Sequence, residues 1–305
     1  MGKPLIECVP NFSEGRDPAV IEAIVGPFKE KKGCILLDHR ADKDHNRLVV
    51  SLAGEPEALQ DALIEASLLA IEKIDLERHQ GGHPRIGAID VIPFIPLRNI
   101  PMGDCARIAR GFGERFHRET GVPVYFYEEA ALRPDRKNLE VIRKGQYEAL
   151  KDHITDPDRH PDIGEPRLHP SAGATVIGAR TFLIAFNVNL DTPDVKVARR
   201  IAKAIRASSG GLGHVKGIGL ALESRGITQV SMNITDHEKN ALYRIVELIR
   251  LEAKRWGVSI LETEVYGMIP AGALIDSVSY YLQMEGFESE QVIELALLDK
   301  LGEDL

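Results

Sequence analysis

Apolar runs of strand length and apolar stripes of helix spacing follow one another in a single order, and that order occurs twice along the chain. In the first pass residues 5–9 read as a strand. A helix starts at Asp17-Pro18, with Val20, Ile21, Ile24, Val25 and Phe28 on its apolar face. Strands follow over residues 34–38 and 46–52, then a helix over 56–74 and a strand over 88–97. In the second pass the strand is 182–190, and Thr192-Pro193-Asp194 caps a helix carrying Val197, Ala198, Ile201, Ala202 and Ile205. Strands over 215–222 and 227–234, a helix from Asp236-His237-Glu238 and a strand over 259–268 complete it. The order β-α-β-β-α-β is that of the ferredoxin-like split βαβ unit. The expected fold is therefore α/β (α+β): two tandem ferredoxin-like subdomains, residues 1–180 and 181–305. Their sheets should be mixed but mostly antiparallel, with helices on the outer faces. Both units end in a similar Ile-Pro stretch before a helix, as an internal duplication would leave them.

Several local features refine this expectation. Residues 11–15 should turn the chain, Gly26-Pro27 should kink or shorten the first helix, and 39–45 should be a charged loop. Between the units lies an insertion over about 98–180, with a helix at 104–120, a strand at 123–127 and a helical stretch at 139–149. The proline- and histidine-rich segment 156–170 reads as an ordered irregular loop or a lid. Residues 174–180 lead into the second unit, and amphipathic helices after Ala271 pack on the second sheet or on a subunit partner.

A net charge of -8 argues against nucleic acid as a partner. No apolar run has membrane-spanning length and the N-terminus does not read as a signal peptide, so no membrane partner is expected. Cys8, Cys34 and Cys105 sit in apolar contexts and read as reduced, buried thiols of a cytoplasmic protein.

Residues 78–96 combine a polar glycine-rich turn, two histidines and an arginine with the strand that follows. His79 and His83 have the spacing of a helical zinc pair, but Gly81, Gly82 and Pro84 forbid a helix and no further ligands lie at useful spacing, so no metal is expected. Phosphate-binding glycine motifs and a serine-hydrolase elbow are absent. A polar cluster containing Asp38, Asn46 and Arg47 fits either a solvated hairpin tip or a binding loop. Asn11 and Ser13 lie at the end of the first strand. Asn187 and Asn189 project onto one face of an otherwise apolar strand, where a buried amide needs a partner, so that face should meet a ligand or another polar surface.

Taken together, Glu7-Cys8-Val9-Pro10-Asn11-Phe12-Ser13-Glu14-Gly15, His83-Pro84-Arg85-Ile86-Gly87-Ala88-Ile89-Asp90, Gly121-Val122-Pro123-Val124-Tyr125, Gly173-Ala174-Thr175 and Ala185-Phe186-Asn187-Val188-Asn189-Leu190 resemble the glutamate formiminotransferase family. That family includes the first module of formiminotransferase-cyclodeaminase. The resemblance spans both halves, and the chain stops where a cyclodeaminase module would begin, so that second activity is not expected. It implies two α/β subdomains with an intervening groove, a homodimer, and transfer of a formimino group from N-formimino-L-glutamate to N5 of tetrahydrofolate, in histidine degradation and one-carbon metabolism. The family's catalytic histidine matches His83. Its folate-binding stretch matches Gly164, Glu165, Pro166, Arg167, Leu168, His169, Pro170, Ser171, Ala172 and Gly173, which are less aromatic here than in vertebrate members.

These residues suit the chemistry. An imidazole titrating near ~6.5 can take a proton from N5 and return one to the departing nitrogen. Asp38 is the expected carboxylate, stabilising the amidinium or orienting the imidazole. Arg85, Arg47 or Arg167 would hold substrate carboxylates, including those of a polyglutamyl folate. Asn11, Asn46, Asn187 and Asn189 complete the expected substrate-binding set. Two rivals stay open: formyl transfer between 5-formyltetrahydrofolate and glutamate, and a non-catalytic folate-binding module.

Overall fold

Strand β1 (Leu5–Cys8) stops at Val9-Pro10 and resumes as β2 (Asn11–Phe12). Proline removes a ladder donor, and the break falls there. The expected turn at 11–15 thus begins later than the sequence suggests, after Phe12. Helix α1 (Pro18–Glu30) is capped by Asp17, whose side chain accepts from the backbone N–H groups of Ala19 and Val20. It runs through Pro27 instead of ending there. Strands β3 (Cys34–Asp42) and β4 (Arg47–Gly54) form the expected hairpin, but β3 extends through most of the expected charged loop. Next come α2 (Pro56–Lys73), β5 (Ile89–Arg98), α3 (Met102–Thr120), β6 (Val124–Glu128), two short helices α4 (Leu139–Ile142) and α5 (Gln146–His153), and β7 (Thr175–Ala179).

The fold is a computed structural model that describes residues 3–303, with side chains to residue 300. The extreme N-terminus read for a signal and the outermost ends of the two expected subdomains lie outside the described residues. The chain divides into two compact units, Met1–Arg180 and Thr181–Leu305.

In the first unit β1 and β2 both pair with β4 on one side and β5 on the other, antiparallel throughout. Beyond β5 the sheet continues through β7 and β6, both parallel. The insertion strand at 123–127 and the lead-in at 174–180 are therefore integral strands of the first sheet, which corrects the expectation. Helices α1, α2 and α3 cover one face, setting Phe28, Leu59, Leu63, Phe112 and Phe116 against Phe12, Leu48, Leu52 and Phe94. Each such side chain contributes about 1.5–3 kcal/mol of burial. On the other face Ile142, Leu150 and Ile154 cover Val91, Tyr125, Tyr127 and Val176. Consequently β4 alternates half-buried and buried, whereas β5 is buried from Ile89 to Ile95. The segment 156–170 is irregular and ordered: Arg136 pairs with the buried Asp162 at 2.7 Å, and Asp162 accepts from the N–H of Phe126.

The second unit contains β8 (Ile184–Leu190), α6 (Val195–Ile205), β9 (Val215–Leu222), β10 (Ile227–Ile234), α7 (Leu242–Lys254) and β11 (Ile260–Tyr266). Its sheet has the order β11-β8-β10-β9, entirely antiparallel, matching β5-β1-β4-β3 of the first unit. Helix α7 starts at Leu242, later than expected, because Asp236 turns the chain by accepting from the N–H of Lys239. Of the final helices, α8 (Ala271–Leu282) packs on α7 through stacked Tyr243 and Tyr280, and α9 (Ile293–Glu303) follows. No helix among the described residues is long and apolar enough to cross a membrane.

Candidate active site

Loops from four parts of the first unit meet at the end of its sheet where β5 begins. Ser13 donates from Oγ to the carbonyl of Gly87 at 2.7 Å and from its N–H to that of Ala88 at 2.8 Å. Asn46, in the left-handed region at φ 49°, accepts from the N–H of Gly15 and donates to the carbonyl of Gln80. The turn carrying His83 lies along the hairpin tip: Gly82 N–H donates to Asp44 and His83 N–H to His45. A Cβ at Gly81 would fall 2.3 Å from the His45 carbonyl oxygen, so only glycine permits this approach.

The His83 side chain, 15% exposed, stands in a row of charges. Arg47 Nη1 donates to Nδ1 at 3.3 Å. A guanidinium can only donate, so Nδ1 is the acceptor and the neutral ring carries its proton on Nε2. Nε2 is sealed from solvent, has no hydrogen-bond partner among the described residues, and lies 3.7 Å from Asp90 Oδ2. Asp90, 1% exposed, accepts from the N–H of Ile86 at 2.9 Å and pairs with Arg143. Burial alone would raise the Asp90 pKa; the Arg143 charge, with help from His83, holds it below the ordinary carboxylate value. Burial, reinforced by Arg47 and Arg143 and opposed by Asp90, lowers that of His83. The imidazole is thus a neutral base at pH 7.

His79 is occupied differently. Its Nε2 donates to the Asn46 carbonyl and its Nδ1 accepts from Arg85 Nε, at 3.0 and 3.1 Å. Arg85 is 5% exposed and forks onto Glu148 at 2.8 and 2.9 Å, with further bonds to Gln146 and the His79 carbonyl. All three of its guanidinium nitrogens donate within the protein. Arg85 is a brace between the turn and α5, which corrects its expected use on a substrate carboxylate.

The other expected residues divide by location. Asp38 pairs with Arg40 and stands opposite Ser51, four residues along β4 from Arg47, or about 13 Å. The carboxylate beside the imidazole is Asp90, not Asp38. Asn11 is half-buried and donates to the Val9 carbonyl. In the stretch 164–173, Gly164, Glu165, Arg167 and Pro170 are exposed, while Pro166, Leu168, His169 and Ser171 are half-buried. Ala172 and Gly173 are buried: their backbones bond to Ala88 and His169, so Ala172 offers no side-chain surface to a ligand. In the second unit Asn189, 2% exposed, accepts from Gln229 and donates to Glu262, and Asn187 donates to Glu264. These amides find cross-strand partners within their own sheet.

Asp90 and Arg143 escaped the sequence reading. A lone aspartate inside an apolar strand was the available signal, since a buried charge must be paired. Arg143, in a short helical turn, gave none. The thiols are remote from such chemistry: burial pushes Cys34 up to about 11 and Cys105 up to about 12.

A neutral imidazole between a buried carboxylate and a guanidinium, on an α+β scaffold, is the equipment of an enzyme that moves protons. Residues 5–180 match the family described as "Formiminotransferase domain, N-terminal subdomain", and residues 185–304 match "Formiminotransferase domain". The chain belongs to the formiminotransferase family. It is 46% identical over 295 residues to a protein of Streptococcus pyogenes named glutamate formimidoyltransferase, covering 96% of this chain and 99% of that one. A Thermoplasma acidophilum protein of the same name is also 46% identical, over 95% of this chain and 96% of its own. The formimidoyltransferase-cyclodeaminase of Rattus norvegicus is 41% identical over 98% of this chain and 57% of its own length.

Proposed function

We propose that the protein is a glutamate formimidoyltransferase, moving the formimino group of N-formimino-L-glutamate to N5 of tetrahydrofolate. The observation that carries this reading is the neutral His83 imidazole facing Asp90, in a chain of this family over nearly its full length. The donor is an amidinium. The N5 lone pair attacks its carbon, and the C=N π pair moves onto nitrogen. Nδ1 of His83 takes the proton from N5, while Asp90 stabilises the imidazolium through Nε2–H. The proton then passes to the glutamate nitrogen. The lone pair of the remaining NH₂ re-forms C=N⁺, and the bond to glutamate breaks. The products are 5-formiminotetrahydrofolate and L-glutamate. A positioned acid–base group contributes roughly 10²–10⁴-fold.

In this reading 1–180 and 181–305 are the two subdomains of one formiminotransferase. Asn11, Arg47 and the exposed part of 164–173 serve substrate binding. Asn46 and Arg85 hold the His83 turn in place. We further propose a cytoplasmic homodimer acting on polyglutamyl folates in histidine degradation. The three free buried cysteines support a reducing compartment.

The test is incubation with tetrahydrofolate and formiminoglutamate, then acid treatment and near-ultraviolet absorbance of methenyltetrahydrofolate. No signal above the protein-free control sinks the proposal. His83→Ala should lose at least 10²-fold in turnover and keep folate affinity; wild-type turnover would remove the histidine from catalysis.

A further inference from the structure

The base nitrogen of His83 is already occupied. Nε2 is sealed against Asp90, so proton exchange with a substrate falls to Nδ1, and Nδ1 holds the Arg47 hydrogen bond. An imidazole cannot accept a proton from N5 at a nitrogen that is accepting from a guanidinium. Arg47 therefore has to move before His83 can work.

Arg85 forks onto Glu148 and Arg143 pairs with the buried Asp90, both ionised acceptors. Arg47 stands at the first residue of β4, directly after the hairpin turn, and its bond to His83 goes to a neutral nitrogen at 3.3 Å. That is long for a protein hydrogen bond. A carboxylate offers the same guanidinium a charge-assisted, bidentate bond of roughly twice the strength.

We propose that Arg47 caps the His83 base in the resting protein and is drawn off it by the α-carboxylate of the glutamyl donor, so that the imidazole becomes a base only once that substrate is seated. The identity of the donor rests on the formimino-transfer reading. The bond geometry of the two substrates favours the donor over folate. In formiminoglutamate the α-carboxylate is separated from the leaving nitrogen by one carbon, so holding it at Arg47 brings that nitrogen to His83. In folate an aminobenzoyl group separates the glutamyl carboxylates from N5. A folate carboxylate at Arg47 would leave N5 far from the imidazole.

Among the described residues, the charged groups that act most on His83 are Arg47, Asp90 and Arg143. Removing or redirecting Arg47 leaves Asp90 less opposed, and the imidazole should then bind a proton more readily. The test follows the His83 ring proton by NMR titration, assigned with His83→Gln, without and with N-acetyl-L-glutamate, which keeps the α-carboxylate and transfers nothing. In the wild type the ligand should raise the His83 midpoint by about one unit. Arg47→Met should start at the raised value and respond little. Arg47→Lys, which keeps the charge but not the fork, should start near wild type and respond weakly. The diamide of N-acetyl-glutamate, lacking carboxylates, should do nothing.

A wild-type midpoint that stays put at saturating N-acetyl-glutamate overturns the cap, as does an Arg47→Met protein that shifts as far as wild type. Turnover of formiminoglutamate is measured alongside. Turnover with an unmoved imidazole removes the cap and leaves the transfer reading intact. A ligand-induced shift without turnover keeps the cap and sinks the transfer reading.

Discussion

Strands β5 and β11 hold the same position in two sheets of the same order, in very different surroundings. Beyond β5 the sheet continues into β7 and β6, and α4 and α5 cover the face opposite the main helices. Beyond β11 no further strand joins its sheet among the described residues, and most of its residues are exposed. Both carry carboxylates. On β5, Asp90 is stripped of water and must be matched by Arg143 and the His83 ring. On β11, Glu262 and Glu264 stay wet and serve as acceptors for the Asn189 and Asn187 amides. The fold plan repeats, and the added strands and helices bury one carboxylate between a guanidinium and an imidazole.

The sharpest way to break this comparison is Asp90→Ala. It strands Arg143 in a buried site, which should cost about 3–5 kcal/mol. Trp256, the sole tryptophan, belongs to the second unit, so its fluorescence follows that unit in urea while far-ultraviolet circular dichroism follows both. The early part of the dichroism transition should move to lower urea and the fluorescence transition should stay. If both move together, the units do not unfold separately. Asn189→Ala should show a smaller effect, about 1–3 kcal/mol, because it leaves Gln229 unmatched in the buried part of the polar ladder. Here the fluorescence transition should move.

The smallest effect concerns pH. Burial lowers His83, His79 and His169 below the ordinary imidazole value, all in the first unit. Between each lowered value and ~6.5 the unfolded chain binds more protons than the folded one. First-unit stability should therefore fall as pH drops below ~6.5, and His79→Gln should flatten that slope. Asp90 is shifted down as well, so it acts with the same sign, and its contribution is lost only at lower pH, as the carboxylate protonates.

Both βαββαβ units were legible from hydrophobic periodicity, which is a local signal. The parallel additions β7 and β6 were not, because their pairing with β5 joins Val91 to Val176 across the whole insertion. The polar cluster after β3 pointed to Asp38 as the partner of His83, since both lie in loop-like sequence. Chain geometry favoured Asp90, hidden in an apolar run. The sequence marked Asn187 and Asn189 as needing partners and misjudged their source, because cross-strand register cannot be read from one strand.

Ser13 and Gly87, bonded to each other, are 74 positions apart, and Arg85 reaches 63 positions forward to Glu148. Contacts of such sequence separation form after the hairpins and helices, once loop-closure entropy has been overcome. Newly made chain therefore has no working site while β1 to β4 emerge, nor when β5 first pairs. The turn carrying His83 sets only after residues 171–174 have returned to bond beside residues 86–88. Onset of activity during refolding should therefore report completion of the whole first unit, and an inactive intermediate with most of its helices and strands formed is the natural precursor.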